Sequence, residues 1–271
     1  MEAGSREASG PPVTDTHVHI FRRGEGLAED RRYAPGYDAL PGVLAGLMQS
    51  AGVARAMLVQ PSFLGTDNRF LLDAIAAAPA LFGGIAVVDP AISKAGLAAL
   101  AEAGVSGVRL NAIGKPAPDF TGPHAGMVRH LADQGLVLQL QAEGGQWGAM
   151  EAFLSAPPCP VVIDHFGRTP PGDASGGFES LLRAASRSER LWFKFSAPYR
   201  MAEGIAAICA ETILRTVGPE RIIWGSDWPH TQFEGRNSYA DTLAWLAEWV
   251  PDAGARNAIL AGNLARLFRW S

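Results

Sequence analysis

Asp15, His17 and His19 alternate with Thr16 and Val18 within the run Val13–Ile20. If that run is a β-strand, its period of two turns all three side chains to one side. Two imidazoles so placed can share one metal ion or one group of a substrate. Another histidine, His165, stands in Ile163-Asp164-His165-Phe166-Gly167-Arg168, where an apolar run ends. Asp227 lies in Trp224-Gly225-Ser226-Asp227-Trp228-Pro229-His230, among bulky and rigid neighbours that would fix its direction. A carboxylate at such an exit serves as a general base or a metal ligand, or caps the next helix.

Cations recur at similar places. Arg109 closes the run Val108-Arg109-Leu110-Asn111, with Lys115 just beyond. Arg168 follows His165, and Arg200 ends Ser196-Ala197-Pro198-Tyr199-Arg200. An arginine there is either an anion clamp or half of a structural ion pair. Ser62 and Gln141, with Gln60 and Gln139, are able to hydrogen-bond a ligand. His124 and His130 fall in a loop and a helix away from strand ends and read as structural or surface groups. Trp245 and Trp249, one helical turn apart, read as packing.

The elements that must position these residues repeat along the chain. Eight short β-rich runs are predicted: Val13–Ile20, Arg55–Gln60, Phe82–Val88, Val105–Leu110, Leu136–Leu140, Val161–Asp164, Leu191–Phe195 and Arg221–Gly225. Helical spacing separates most of them, as in Asn68–Ala80 and Leu97–Ala103. Continuous apolar strands alternating with helices predict a parallel sheet, and eight such units predict a (β/α)8 TIM barrel over residues 13–271. A doubly wound open sheet would want a GxGxxG turn after an early strand, and the sequence has none. Residues 1–12 read as a flexible tail. The stretch Arg168–Gly177 is taken as an active-site loop. Arg256–Phe268 is expected to form a closing helix, with Gly262-Asn263 as a structural interruption.

The chain has 271 residues, 48% of them apolar and 18% charged, so a large core is available and extensive disorder is excluded. A net charge of −4 without a long basic run argues against a nucleic-acid partner. It still allows an anionic substrate, because local arginines can dominate a pocket. Cys159 and Cys209 lack metal or disulfide spacing and read as reduced, buried thiols. No apolar signal core or membrane-length run is present, so a cytoplasmic location without membrane contact is expected.

The DTHVH, DHFGR and GSDWPH segments, in this order at strands one, six and eight, resemble the amidohydrolase superfamily. More narrowly they resemble its lactonase branch, the family of the 2-pyrone-4,6-dicarboxylate lactonases, from about Val13 to Leu267. The resemblance implies hydrolysis of a lactone ester in a small anionic substrate and a place in aromatic catabolism. It makes Asp227 the residue that activates water, with His17, His19 and His165 polarising the carbonyl. Arg109, Arg168 and Arg200 match arginines that hold carboxylates, and Lys115 stands where a further arginine is expected. Strand four carries Arg109 and strand five Gln139 and Gln141, where binuclear relatives have metal ligands. A two-metal centre is therefore not expected, and no cofactor is expected to be required. The alternative is one zinc on His17, His19 and Asp227, which would also suit a decarboxylase of the same superfamily.

Overall fold

The computed structural model describes residues 12–268. The tail expected over 1–12 therefore falls, apart from Pro12, outside the described residues. Eight strands follow one another in space as in sequence: β1 (Thr14–Val18), β2 (Arg55–Val59), β3 (Phe82–Ala86), β4 (Val105–Asn111), β5 (Val137–Gln141), β6 (Val161–Ile163), β7 (Leu191–Phe195) and β8 (Ile222–Trp224). Each pairs in parallel with the next. The helices between them are α1 (Pro41–Ala51), α2 (Arg69–Ala77), α3 (Lys94–Glu102), α4 (Ala125–Gln134), α5 (Gln146–Ser155), α6 (Gly177–Arg187) and α7 (Ile205–Val217); α8 (Tyr239–Trp249) follows β8. This is the TIM barrel the alternation predicts.

The ends of the sheet meet beyond β8 rather than along it. The His19 N–H donates to the Trp228 carbonyl at 2.8 Å, and the Asp227 N–H donates to the His17 carbonyl at 2.8 Å. Gly225 makes this approach possible. A Cβ there would stand 2.5 Å from His17 Cβ and 3.0 Å from its backbone nitrogen, closer than any side chain tolerates. The barrel seam thus runs through the two motifs richest in chemistry.

Alternation along the strands sorts two cores. Outward residues such as Leu58, Leu138, Leu140, Phe193 and Phe195 pack against the helices. Inward residues Met57, Val59, Ile85, Val137, Val162, Trp192 and Ile223 fill the barrel, and Leu264, Leu267 and Phe268 join them. Two residues further along, the inward positions become polar: Gln139 after Val137, Asp164 after Val162, Lys194 after Trp192. The apolar lower layers hold a rigid floor under a polar upper one.

The closing segment is not one helix. It forms α9 (Ala253–Asn257), a π-helical turn over Ala258–Gly262, and α10 (Leu264–Leu267). Asn263 is structural, its amide donating to the carbonyls of Pro219 at 2.8 Å and Ile222 at 2.7 Å. Cys159 and Cys209 are free and buried. Trp249 packs edge-on against Phe166 and Phe195. No helix among the described residues is long and apolar enough to cross a membrane.

Candidate active site

The expected residues converge at the C-terminal mouth of the barrel. His17 is the inward residue of β1, and His19 lies just past that strand's end. His165 and Asp227 follow β6 and β8 on backbone turned to positive φ, 53° and 61°. Arg168, Ala197 and His230 share that conformation at the same rim. For residues with a Cβ this backbone is strained, and such strain gathers where side chains must be aimed. It also ends β6 at Ile163, one residue before the predicted boundary.

Asp227 is fully buried and divides its two oxygens. Oδ2 accepts from Arg200 Nε at 2.9 Å, Arg200 Nη2 at 2.7 Å and the Tyr199 hydroxyl at 2.8 Å. Oδ1 has no hydrogen-bond partner. Around it stand the Nε2 atoms of His17 at 3.5 Å, His19 at 3.6 Å and His165 at 3.9 Å. Burial would raise this carboxyl, but Arg200 first, then His165, hold it well below the usual carboxylate range. This favours the ionised form.

Beneath this cluster the inward side chains form a closed network. Lys194 Nζ donates to the carbonyl of Thr16 at 3.0 Å and Gln139 Oε1 at 2.8 Å, and lies 3.0 Å from His17 Nδ1. Asp164 Oδ2 accepts from Arg109 Nε at 3.0 Å and Gln139 Nε2 at 3.1 Å. Burial opposes ionisation of Asp164, yet Lys194, His17 and Arg109 hold it well below its ordinary value. Burial lowers Lys194 to about 8. Asp15 does not join the histidines as period-two spacing suggests. Its carboxylate accepts from the N–H groups of His17 and Ser226 and from the Tyr239 hydroxyl, tying β1 to the segment after β8.

A cleft of about 710 Å³, its mouth included, opens above, and its wall is rich in arginine. Arg109, Arg168, Arg200, Ser62 and Gln141 line it as expected. Gln141 accepts from Arg109 Nη2 at 2.6 Å. Lys115 does not reach it. Its N–H closes a turn onto the Ala112 carbonyl, and its ammonium pairs on the surface with Asp30 at 3.2 Å. Of the stretch expected to form an active-site loop, only Arg168 lines the cleft. Further along, Thr169 Oγ1 accepts from Gly144 N–H and Gly172 N–H donates to Glu179 of α6. His124 and His130 stay outside the cleft lining.

Sequence reasoning missed Lys194, Tyr199, Asp164 and Arg32. Lys194 had a signal, a lone cation inside the apolar strand Leu191–Phe195, two residues from the inward Trp192. Arg32 had none, because it arrives on the long connection after β1. It lines the cleft near Gly114, where an added Cβ would stand 3.7 Å from Arg32 Cδ.

Two overlapping groups bring metal-ligand types together: His17, His19 and Asp227, and His17, Asp164 and His165. Both depend on His17, whose Nδ1 already faces an ammonium. The unpartnered Oδ1 of Asp227 is the one open acceptor in the first group.

The buried rings make stability depend on acid. Burial lowers His165 to about 3, and burial with Lys194 lowers His17 well below its ordinary value. In the unfolded chain both take protons near pH ~6.5. The stability they contribute is present above that value and is lost as pH falls toward their folded values. Asp15 works oppositely. Burial raises it to about 6, so its contribution is present below its ordinary value and is lost as pH rises through about 6. Two imidazoles outweigh one carboxyl. The urea midpoint is expected to fall between pH 7 and 5, and His165→Gln to flatten that dependence. A midpoint constant over this range in the wild type would contradict the neutral, buried rings.

An eight-stranded barrel with three imidazoles and a charged carboxylate at its C-terminal mouth defines an enzyme of the hydrolytic barrel class. The amidohydrolase family profile matches residues 14–270, and the chain belongs to that family. A 2-pyrone-4,6-dicarboxylate hydrolase from Comamonas testosteroni is 31% identical, over 94% of this chain and 90% of the relative. A 4-sulfomuconolactone hydrolase from Rhizobium radiobacter is 30% identical, over 94% and 89%. The crystal structure of a probable 2-pyrone-4,6-dicarboxylic acid hydrolase from Acinetobacter baumannii, with citric acid bound, superimposes with a TM-score of 0.88. It is 31% identical and the match covers 94% of this chain and 98% of that one.

Proposed function

We propose that this enzyme hydrolyses the lactone ester of a small substrate carrying two anionic groups, of the 2-pyrone-4,6-dicarboxylate kind. The observation that carries the reading is Asp227 Oδ1, a buried, ionised, unpaired acceptor beneath an arginine-walled cleft. Water at Oδ1 gives a proton to Asp227 as its oxygen bonds to the lactone carbonyl carbon. The electron pair moves to the carbonyl oxygen, and nearby N–H groups stabilise the oxyanion. Collapse of this intermediate breaks the ring C–O bond, and the leaving oxygen takes the proton back from Asp227. The product is a ring-opened acid.

The histidines then have different parts. His19 Nδ1 lies 2.7 Å from the Val59 carbonyl, an acceptor only, so the neutral ring presents a bare Nε2 to the site. His17 and His165 are assigned as the donors to the carbonyl oxygen. This reaction runs on the chain's own side chains without a metal ion. A lactone panel, assayed with chelated and with zinc-loaded protein, tests the proposal. Acid release from a dianionic lactone that survives chelation supports it. Carbon dioxide release from a carboxylated aromatic, or activity restored only by stoichiometric zinc, refutes it.

The arginines also differ. Arg109 is paired with Asp164, Arg200 with Asp227 and Arg168 with Glu143. Among the described residues Arg32 alone of the cleft's arginines has no ion-pair partner, so it is the free charge for the substrate's distal anion. Arg32→Ala is expected to raise KM for a dianionic lactone about 10-fold or more, from the loss of one charge-assisted contact, with kcat nearly unchanged. An equal rise for a neutral lactone would show that the charge plays no part.

A further inference from the structure

We infer that Lys194 is a positioning residue that fixes the proton of the His17 ring on Nε2, where the reaction occurs. Lys194 is fully buried and does not line the cleft. Its ammonium has three protons, and three acceptors surround it in hydrogen-bond geometry: the Thr16 carbonyl, Gln139 Oε1 and His17 Nδ1. The amide of Gln139 is oriented to match, with its nitrogen on Asp164 Oδ2 at 3.1 Å. The competing partner for His17 Nδ1 is Asp164 Oδ1, but that oxygen lies 3.3 Å from both the ring nitrogen and the Lys194 ammonium, whereas the ammonium itself reaches His17 Nδ1 at 3.0 Å. His17 Nδ1 is therefore an acceptor, and the neutral ring carries its proton on Nε2.

The opposite end of the pair demands the same arrangement independently. His19 gives its Nδ1 proton to the Val59 carbonyl, so its Nε2 is bare. That atom lies 3.2 Å from His17 Nε2. Two bare nitrogens at this distance would repel, whereas an N–H donated by His17 makes a hydrogen bond. The run is thus Lys194 to His17 to His19 to Val59, every proton pointing one way. In the resting site His17 lends its N–H to His19, beside Asp227 Oδ1. An entering carbonyl can take that donor over. With the other tautomer His17 would offer a lone pair where negative charge must develop. The same proton occupies the lone pair that a metal at Nε2 would require.

The tautomer stands on the hydrogen bonds alone; its kinetic consequence rests on the lactonase reading. The test is long-range proton–nitrogen NMR on ¹⁵N-histidine protein, with His17→Gln used to assign the ring. A wild-type ring protonated at Nε2 and bare at Nδ1 is expected, and one protonated at Nδ1 overturns the inference whatever the enzyme's activity. In Lys194→Met the proton is expected to shift to Nδ1, toward Asp164. kcat should then fall by about 10²-fold, as for loss of an oxyanion donor, with KM little changed. A folded Lys194→Met that keeps the Nε2 proton and wild-type kcat also overturns it. An Nε2-protonated wild type that opens no lactone upholds the tautomer and sinks the hydrolytic reading instead.

Discussion

Asp227→Asn is expected to keep the fold and to open its lactone about 10²–10⁴-fold more slowly than the wild type, the usual cost of losing a positioned base. An amide has the carboxylate's shape, and its oxygen can still accept from Arg200 and Tyr199. What it cannot do is take a proton from water at the Oδ1 position, a buried acceptor left without a hydrogen-bond partner. The substitution also leaves the Arg200 guanidinium, 9% exposed, without its countercharge. Breaking a buried pair from one side costs about 3–5 kcal/mol, so a lower melting temperature accompanies the loss of rate. Circular dichroism separates the two effects. A folded variant with wild-type kcat would remove Asp227 from the mechanism.

Arg200→Met is expected to damage kcat as well as KM, and to move the acid limb of the kcat–pH profile upward. A role mainly in substrate binding was the expectation from sequence, but two of its nitrogens rest on Asp227 Oδ2. Arg200 is the strongest influence holding that carboxyl down against burial. Without it burial dominates, Asp227 keeps its proton to a higher pH, and the proposed reaction needs the carboxylate. Activity therefore disappears from the acid side sooner than in the wild type. The readout is kcat across pH 4–8 for both proteins. An unmoved acid limb with only KM changed would return Arg200 to a purely binding role.

The barrel was legible because its signals are local. Each apolar run sits between helical patterns, and seven of the eight predicted strands differ from the observed ones only at their ends. Leu191–Phe195 coincides. His17, His19, His165 and Asp227 were legible because strand exits in a barrel all face one mouth. The division of labour among the cations was not. Arg109, Arg168 and Arg200 look alike in sequence, and only the carboxylates beside them, brought from other strands, separate paired from free charge. Lys115 misled because a turn one residue earlier, at Gly114 with φ +73°, sends its side chain to the surface. Lys194 was passed over because an apolar strand draws attention to its apolar residues, although its inward register follows from Trp192.

Catalytic competence in this molecule is a report on topology. Ser226 N–H meets Asp15 across a separation of 211 residues, beside the backbone bonds that join His17 to Asp227 and His19 to Trp228. A nascent chain with seven strands assembled would already hold every arginine of the cleft and all three imidazoles, yet no base. On the proposed mechanism no half-active precursor is expected, and turnover should begin only when the last strand meets the first. Two fragments divided between α7 and β8 would each be silent, and activity recovered on mixing would count docked barrels one for one.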